Sequence, residues 1–270
     1  MTQSNDHRST WWGRYVLEAG QTAQWTINAL NLAVQRLPNE WQLAYDQDDL
    51  VDPETTGWSH SLDWVDLGEL NWTNTERHVL LQTGDTLWLR PILADRPVVT
   101  RPVTPLFVPA GEDTTIFVST PLWLSLEVGE PPKSLKEVPI RRLSDTWFGP
   151  STMEGELCYA GRTFARVSLE NIPRRVHRAI TQVTVHNRAA SQLLIERLSL
   201  PVPYLSLFET SAGSLWTQAV TLVRTRDTGE ANLHVEPEPP DEAKQASLIS
   251  EPRQQPGHQT VIRAFGALFR

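Results

Sequence analysis

The sequence predicts a mostly β protein: an antiparallel β-sandwich of two packed β halves, followed by a short C-terminal amphipathic helix. Three observations support this fold class. Short runs in which apolar and polar residues alternate recur between turn residues along the chain. Twenty prolines are scattered through the 270 residues, and they disfavour long helices. The chain also lacks a rhythm of alternating strands and helices, which disfavours the nucleotide-binding α/β folds.

The N-terminal β half is predicted to span residues 11–128, after a disordered N-terminus at residues 1–10. Residues 21–27 alternate between polar and apolar side chains, as in a half-buried strand. The runs 30–37 and 40–46 flank a Pro-Asn pair and predict a β-hairpin. Further strands are expected in three later runs of this half, at 86–93, 105–108 and 114–128.

The acidic stretch 47–76 predicts a long loop with one or two strands. It contains Trp58, Trp64 and Trp72, which are the best candidates for exposed tryptophans. An exposed row of tryptophans would stack against sugar rings, so a Trp-based sugar-binding module is one alternative function. Several other tryptophans alternate in phase with aliphatic residues, which indicates that they pack in the core.

A Pro- and Lys-rich connection at 129–142 is predicted to separate the two halves, and the C-terminal β half follows at 143–234. The Pro/Glu-rich segment 235–258 is predicted to be a disordered linker. The near-helical apolar spacing in residues 259–270 predicts a short amphipathic helix. So short a helix needs a surface to dock on, either in a partner protein or on its own domain. Its candidate partner-binding residues are Ile262, Phe265, Leu268 and Phe269.

Composition excludes several classes of protein. The net charge of −8 and the pI of about 5.4 argue against nucleic-acid binding, which would need a basic face. A single cysteine excludes an intrachain disulfide and thiolate-rich metal sites. The seven histidines lack metal-ligand spacing, so we expect no metal and no cofactor. We see no signal peptide and no apolar run near the roughly 20 residues of a transmembrane segment, and we therefore expect a cytoplasmic protein.

The segment Ser144–Arg162 combines acidic, hydroxyl and aromatic side chains in a loop between two strand-like runs. Asp145 with Glu154 or Glu156 would supply the paired carboxylates of a carbohydrate-active or hydrolytic enzyme. In turns, such side chains more often bond to backbone N–H groups, and no catalytic motif accompanies them here. The lone cysteine, Cys158, is expected to be buried and inert. The candidate site residues of this loop are Asp145, Trp147, Glu154, Glu156 and Tyr159.

The runs STPLWLSLEV (119–128), LSDTWFGPSTMEGELCYAGRTFAR (143–166) and HRAITQVTVHN (177–187) resemble those of an uncharacterised prokaryotic family, domain of unknown function 432. The resemblance covers roughly residues 11–225. Because that family has no established catalytic residues, it assigns none to this chain. Its members are often associated with small-conductance mechanosensitive channel proteins. The resemblance therefore implies a membrane channel as partner, and a peripheral location at the inner membrane through that partner.

The sequence favours a non-catalytic cytoplasmic interaction or regulatory protein with a protein partner, and it disfavours an enzyme. The missing catalytic signatures and the tethered apolar helix support this hypothesis. Two alternatives stay open: an enzyme that uses the carboxylates of the 144–162 loop, and the sugar-binding module.

Overall fold

The structure is a computed structural model that describes residues 9–255 and 260–266. The elements in these ranges are strands and four three-residue 3-10 turns, so no described helix is long enough to cross a membrane. The strands are β1 (Gly13–Val16), β2 (Thr22–Ile27), β3 (Leu30–Leu37), β4 (Glu40–Gln47), β5 (Trp58–Asp63), β6 (Asn74–Val79), β7 (Thr86–Ile92), β8 (Val98–Pro102), β9 (Leu106–Val108), β10 (Asp113–Pro121), β11 (Trp123–Val128), β12 (Lys133–Pro139), β13 (Asp145–Phe148), β14 (Glu156–Ala165), β15 (Arg178–Asn187), β16 (Leu193–Ile195), β17 (Arg197–Leu200), β18 (Leu207–Glu209), β19 (Leu215–Thr217), β20 (Val220–Arg224), β21 (Glu230–Val235), β22 (Ser247–Ser250), β23 (Thr260–Arg263) and β24 (Phe265–Gly266).

The chain forms two compact units, and each is discontinuous in sequence. Unit 1 extends to Pro91 and resumes at Trp123–Arg142, whereas unit 2 comprises Ile92–Leu122 and the chain from Leu143 onward. This division differs from the predicted halves in two ways. Residues 92–122 belong with the C-terminal strands, and the predicted connection 129–142 contains strand β12 of unit 1. The pairing of β10 with β15 explains the first difference, because that contact is distant in sequence.

A five-stranded antiparallel sheet in unit 1 has the order β5-β2-β3-β4-β6. Its centre is the predicted hairpin of β3 and β4, which is confirmed. Ala33 and Ala44 lie opposite each other in this hairpin, and both are fully buried. Their small side chains leave space for the 3-10 turn Leu67–Glu69, whose Leu67 packs against both alanines together with Trp72. The acidic stretch is therefore two strands joined by a segment that packs on the sheet.

Unit 1 also contains a four-stranded sheet of order β1-β7-β11-β12. Tyr15 of β1 meets Trp25 of β2 edge to face, with ring centroids 5.1 Å apart, so the two sheets of this unit are in contact. Edge-to-face aromatic pairs of this kind add stabilisation beyond the area that they bury. Unit 1 thus contains two β-sheets that meet at this aromatic pair.

The largest sheet of unit 2 is mixed, which corrects the prediction of a purely antiparallel architecture. β15 pairs with β10 in antiparallel fashion, and on its other side it pairs with β19 and β20 in parallel. The parallel pairs require the chain to cross over between strands, and the sequence pattern does not show such crossovers. Burial on both faces follows: every residue of β15 is buried or half-buried.

A second sheet in unit 2 has the order β13-β14-β8-β17-β24, and it curls strongly. A Cβ atom built on Gly266 of β24 would lie 3.0 Å from Cε2 of Phe148 in β13. The two edge strands of this sheet therefore approach each other. Phe148 fills the inside of the curl with Val99 and Cys158, and all three side chains are buried.

The C-terminal segment corrects two predictions. Residues 260–263 and 265–266 are strands rather than a helix, because β23 pairs with β21 and β24 pairs with β17. The predicted linker 235–258 contains the strand β22, which pairs with β18. In both segments, hydrogen bonds to distant strands determine a conformation that local composition does not indicate. Leu268 and Phe269 lie outside the described residues.

Candidate functional site

The sequence-predicted site loop is a β-hairpin at the edge of the curled sheet. β13 and β14 pair in regular antiparallel register, with Trp147 opposite Leu157 and Phe148 opposite Glu156. Because successive side chains of a strand point to opposite faces, residues two apart share a face. The hairpin therefore has an outer face with Asp145, Trp147, Leu157 and Tyr159, and an inner face with Phe148, Glu156 and Cys158.

Trp147 and Leu157 form an exposed apolar pair on the outer face. Their side chains are 40% and 45% exposed. The indole Nε1 of Trp147 donates a 2.7 Å hydrogen bond to the carbonyl of Ser151, which fixes the ring against the hairpin loop. A Cβ atom on Gly155 would lie 2.8 Å from the same ring, so the close approach of the indole requires glycine there. The exposed tryptophan is thus held in a defined orientation.

Asp145 and Tyr159, opposite each other on the outer face, belong to a small surface network. The hydroxyl of Tyr159 donates to Asp95 at 3.0 Å, and Arg96 forms an ion pair with Asp145 at 3.3 Å. The guanidinium carbon of Arg96 also lies 5.3 Å from the centroid of the Tyr159 ring. Burial, followed by the bond to Asp95, raises the pKa of Tyr159 to about 12. The network stabilises the base of the hairpin, and the charge of Arg96 balances the charge of Asp145.

The loop between the strands is organised by a serine hydroxyl. Ser151 Oγ accepts hydrogen bonds from the backbone N–H groups of Met153 and Glu154, at 3.2 and 3.1 Å. This is the turn-capping role that hydroxyl side chains commonly have in loops. The side chain of Glu154 is exposed.

The inner face of the hairpin carries two titratable groups, the half-buried Glu156 and the fully buried Cys158. Burial raises the pKa of Glu156 above its ordinary value, although hydrogen bonding to Ser199 and the nearby charge of Arg263 oppose the shift. Burial also raises the pKa of the Cys158 thiol to about 12, and the charge of Glu156 adds to this shift. A thiol with so high a pKa is not ionised at neutral pH and is a poor nucleophile.

The hairpin register separates the candidate carboxylates. Asp145 projects from the outer face and Glu156 from the inner face, so the two cannot flank one substrate. Glycoside hydrolysis needs two carboxyl groups on either side of one scissile bond. Glu154 belongs to the loop beyond Phe148, the last residue of β13, which itself lies three residues or roughly 10 Å along the strand from Asp145. This geometry disfavours the paired-carboxylate mechanism.

A cleft of about 370 Å³ opens beside the inner face of the hairpin. Arg197 is the residue that connects the cleft with the curled sheet. Its Nη2 donates to the carbonyl of Trp147 at 3.2 Å and to Thr146 Oγ1 at 3.4 Å, and its guanidinium carbon lies 5.1 Å from the centroid of the Phe148 ring. The cleft is lined by Phe148, Gly149, Pro150, Gln192, Leu193, Leu194, Arg197, Arg224, Thr228, Gly229, Arg263, Phe265 and Gly266.

Two further arginines line the cleft. The buried guanidinium of Arg224 donates to Asn187 Oδ1 at 3.0 Å and to the carbonyl of Thr228 at 3.1 Å, and it lies 3.4 Å from Asp227. Arg263, with its side chain 25% exposed, has one ion pair within the described part of the chain, a loose contact of 3.7 Å with Glu230. Arg224 is thus fully engaged by the protein, whereas Arg263 is available to a ligand.

Sequence reasoning missed these three arginines. The signal for Arg197 was its position inside the apolar run of residues 192–200, where a buried arginine is unusual. No comparable signal marks Arg224 and Arg263, because only the fold brings them to one cleft. In the described part of the chain, no group of three His, Cys, Asp or Glu side chains is placed to bind a metal ion.

The tryptophans proposed for sugar binding do not form an exposed row. Trp64 is 62% exposed and lies against Gly20, but Trp72 packs on the alanine pair of the unit 1 sheet. Trp58 is half-buried in the edge strand β5.

The tail residues proposed for partner binding are also partly unavailable. Phe265 is buried at 4% exposure and lines the cleft, and Ile262 is half-buried in β23. Both side chains contribute to unit 2, which corrects the expectation of an amphipathic helix that presents them to a partner.

Comparison with known proteins gives one finding and two absences. A family model described as "Protein of unknown function (DUF432)" matches residues 11–270. No curated protein and no solved structure matches the chain.

Proposed function

The chain belongs to the DUF432 family, whose function is unknown, and we propose that it is a non-catalytic interaction or regulatory protein. One observation carries this proposal. The hairpin that concentrates the chemistry of the sequence separates its strand carboxylates onto two faces and presents the rigid apolar pair Trp147 and Leu157 to solvent. A catalytic loop would bring the carboxylates together, whereas a docking surface needs exposed, ordered apolar side chains.

The docking surface comprises Trp147, Met153 and Leu157. Met153 is 89% exposed in the loop next to the pair. Tryptophan and methionine are both enriched at protein interfaces, and Trp147 is already immobilised by its bond to Ser151. Ordering Trp147 on binding therefore costs little side-chain entropy.

The partner that we propose is a membrane channel of the mechanosensitive type, which follows from the family resemblance. The protein would act as a cytoplasmic accessory and reach the inner membrane through that channel. It would need no membrane segment of its own for this role.

Affinity capture from detergent-solubilised native membranes tests the proposal. We expect wild-type protein to retain a channel protein, and the double variant Met153→Ser/Leu157→Ser to lose it. Both side chains are largely exposed, so the variant should keep the stability of the wild type. Leu248→Ser is the matched control, because Leu248 is 49% exposed on another strand of unit 2.

Three outcomes would contradict parts of the proposal. Equal capture by wild type and double variant would exclude the hairpin surface. Specific capture of a protein that is not a channel would remove the channel as partner but keep the interaction function. If the wild type hydrolyses glycoside or ester substrates and a folded Glu154→Gln variant does not, the enzyme alternative would be favoured.

A further inference from the structure

We propose that the cleft of unit 2 binds a small organic anion, whose carboxylate or phosphate group is held by Arg197 and Arg263 and whose apolar body packs on Phe265 and Leu193. This site lies on the inner side of the hairpin and is independent of the docking surface on its outer face. The proposed ligand is additional to the protein partner of the proposed function.

The charge of the cleft is the first argument. Among the described residues, three arginines and no aspartate or glutamate line it. The whole chain has a net charge of −8, so a cleft whose charged lining residues are arginines differs in sign from the molecule as a whole. Clefts lined by one sign of charge concentrate ligands of the opposite sign.

The environment of Arg197 is the second argument. Its side chain is only 7% exposed, and its Nε has no hydrogen-bond partner. Both oxygens that it contacts, Thr146 Oγ1 and the carbonyl of Trp147, are uncharged. No carboxylate of the described residues forms an ion pair with it. A buried guanidinium without a counter-ion is unfavourable, and an anion that enters the cleft would supply that counter-ion.

Arg263 supplies the second cationic group. Its 3.7 Å contact with Glu230 is longer than a hydrogen bond, so the guanidinium keeps donors for a ligand. The planar fork of an arginine suits the two or three oxygens of a carboxylate or phosphate. Arg224 adds positive charge but few free donors, since its nitrogens already bond to Asn187, Ser191 and Thr228.

The apolar walls determine the rest of the ligand. Phe265, Leu193 and Pro150 line the same cleft as the arginines. Its volume of about 370 Å³ suits a small molecule, since ligand clefts commonly have roughly 300–1,000 Å³. A bare inorganic ion would leave these walls in contact with water. The cleft therefore fits an anion that carries a small flat or aliphatic body.

Calorimetric titration of the full-length protein tests the inference with three probes of one shape: phenyl phosphate, benzoate and the neutral benzyl alcohol. We expect millimolar or tighter binding of at least one anion and none of the alcohol. Arg263→Gln should weaken anion binding by about tenfold or more, because it removes a charged hydrogen bond. Arg188→Gln, a change at an exposed arginine of unit 2 outside the cleft, should leave the affinity unchanged. The affinities for phenyl phosphate and benzoate show which anionic group the cleft prefers.

Arg197→Gln is the second variant, and its folded state is checked by thermal unfolding. If the Arg197→Gln variant folds, it should also lose anion binding. If it does not fold, the affinity of Arg263→Gln alone tests the inference. Three results would overturn the inference: no binding of either anion at millimolar concentration, equal binding of benzyl alcohol, or unchanged affinity in Arg263→Gln. Arg197 would then serve only to join the edges of the curled sheet. Loss of the docking surface in Met153→Ser/Leu157→Ser should not change these titrations.

Discussion

Phe148 and Gly266 lie on the two opposite edge strands of one five-stranded sheet, yet they are in contact. The sheet must therefore curl far enough to bring its edges together, and the ring of Phe148 fills the space inside. A side chain at position 266 would crowd the ring, because the edge of the ring is 3.0 Å from the Cβ position. Arg197 lies at the same junction and bonds across it to Trp147.

Gly266→Ala should destabilise the protein. The new Cβ would overlap with the buried Phe148 ring, and overpacking of a core costs about 1–3 kcal/mol. Urea unfolding followed by tryptophan fluorescence measures the change. Gly57→Ala is the control, since a Cβ there meets nothing within 4 Å. Equal stability of Gly266→Ala and wild type would mean that the two edges do not meet.

Asn187→Ala should destabilise unit 2 by about 2–4 kcal/mol, because it removes several buried hydrogen bonds at once. Asn187 is fully buried, and its amide donates to the carbonyls of Val108, Pro109 and Ser191. Chemical unfolding gives the free energy. The exposed Asn232→Ala should change stability by less than about 0.5 kcal/mol, and a comparable loss there would contradict the assignment.

Glu156→Gln should stabilise the protein more at neutral pH than at acidic pH. Burial raises the pKa of Glu156 in the folded state above its ordinary value of 4.5. The folded state thus binds the proton more tightly than the unfolded state, and the wild type loses stability as pH rises through the raised pKa. Glutamine carries no charge and avoids this loss. Urea unfolding at about pH 4 and pH 7 should show the stability of the variant relative to wild type increasing with pH.

Asp113→Asn should show the opposite pH dependence. Hydrogen bonds from Arg188 and then His186 lower the pKa of Asp113 in the folded state. The carboxylate therefore contributes stability above its unfolded pKa, and this contribution disappears as pH falls through the lowered folded pKa. The variant should be less stable than wild type near pH 7 and equal to it in strong acid. Parallel pH profiles for the Asp113 and Glu156 variants would contradict both assignments.

Cys158 should resist thiol reagents in the native protein. Its side chain is fully buried and its pKa is raised to about 12, so little reactive thiolate forms at pH 8. Labelling with dithionitrobenzoate should be slow in buffer and complete in urea. The double variant Cys158→Ala/Thr152→Cys places a thiol in the exposed hairpin loop and should react at once. Rapid native labelling of the wild type would mean that the inner face of the hairpin opens readily.

The elements that could be predicted from the sequence are those whose pattern lies in neighbouring residues. Alternation and a Pro-Asn turn predicted the hairpin of β3 and β4, and alternation in residues 21–27 predicted β2. In these elements, the pairing strand lies nearby in the sequence, or the alternation of polar and apolar residues is clear. The segment Ser144–Arg162 was singled out for its polar and aromatic side chains but was predicted as a loop, whereas it contains β13 and the first residues of β14.

The elements that depend on distant contacts could not be predicted. Ile262 and Phe265 are spaced as on a helix, but β21 and β17 offer backbone partners that make both residues part of strands. The separation of Asp145 from Glu156 follows from a strand register that composition does not show. Arg197 was not singled out from the sequence, because its burial results from the curl of a whole sheet.

The discontinuity of the two units has a consequence for synthesis. β10 leaves the ribosome before unit 1 is complete, and its partner β15 follows only after Trp123–Arg142 and the hairpin Ser144–Arg162 have been made. During that interval β10, with six consecutive buried residues, lacks its partner strand β15. An exposed apolar strand edge is prone to aggregate. Fragments that end between residues 122 and 178 should therefore be poorly soluble, and no single cut of the chain yields both units intact.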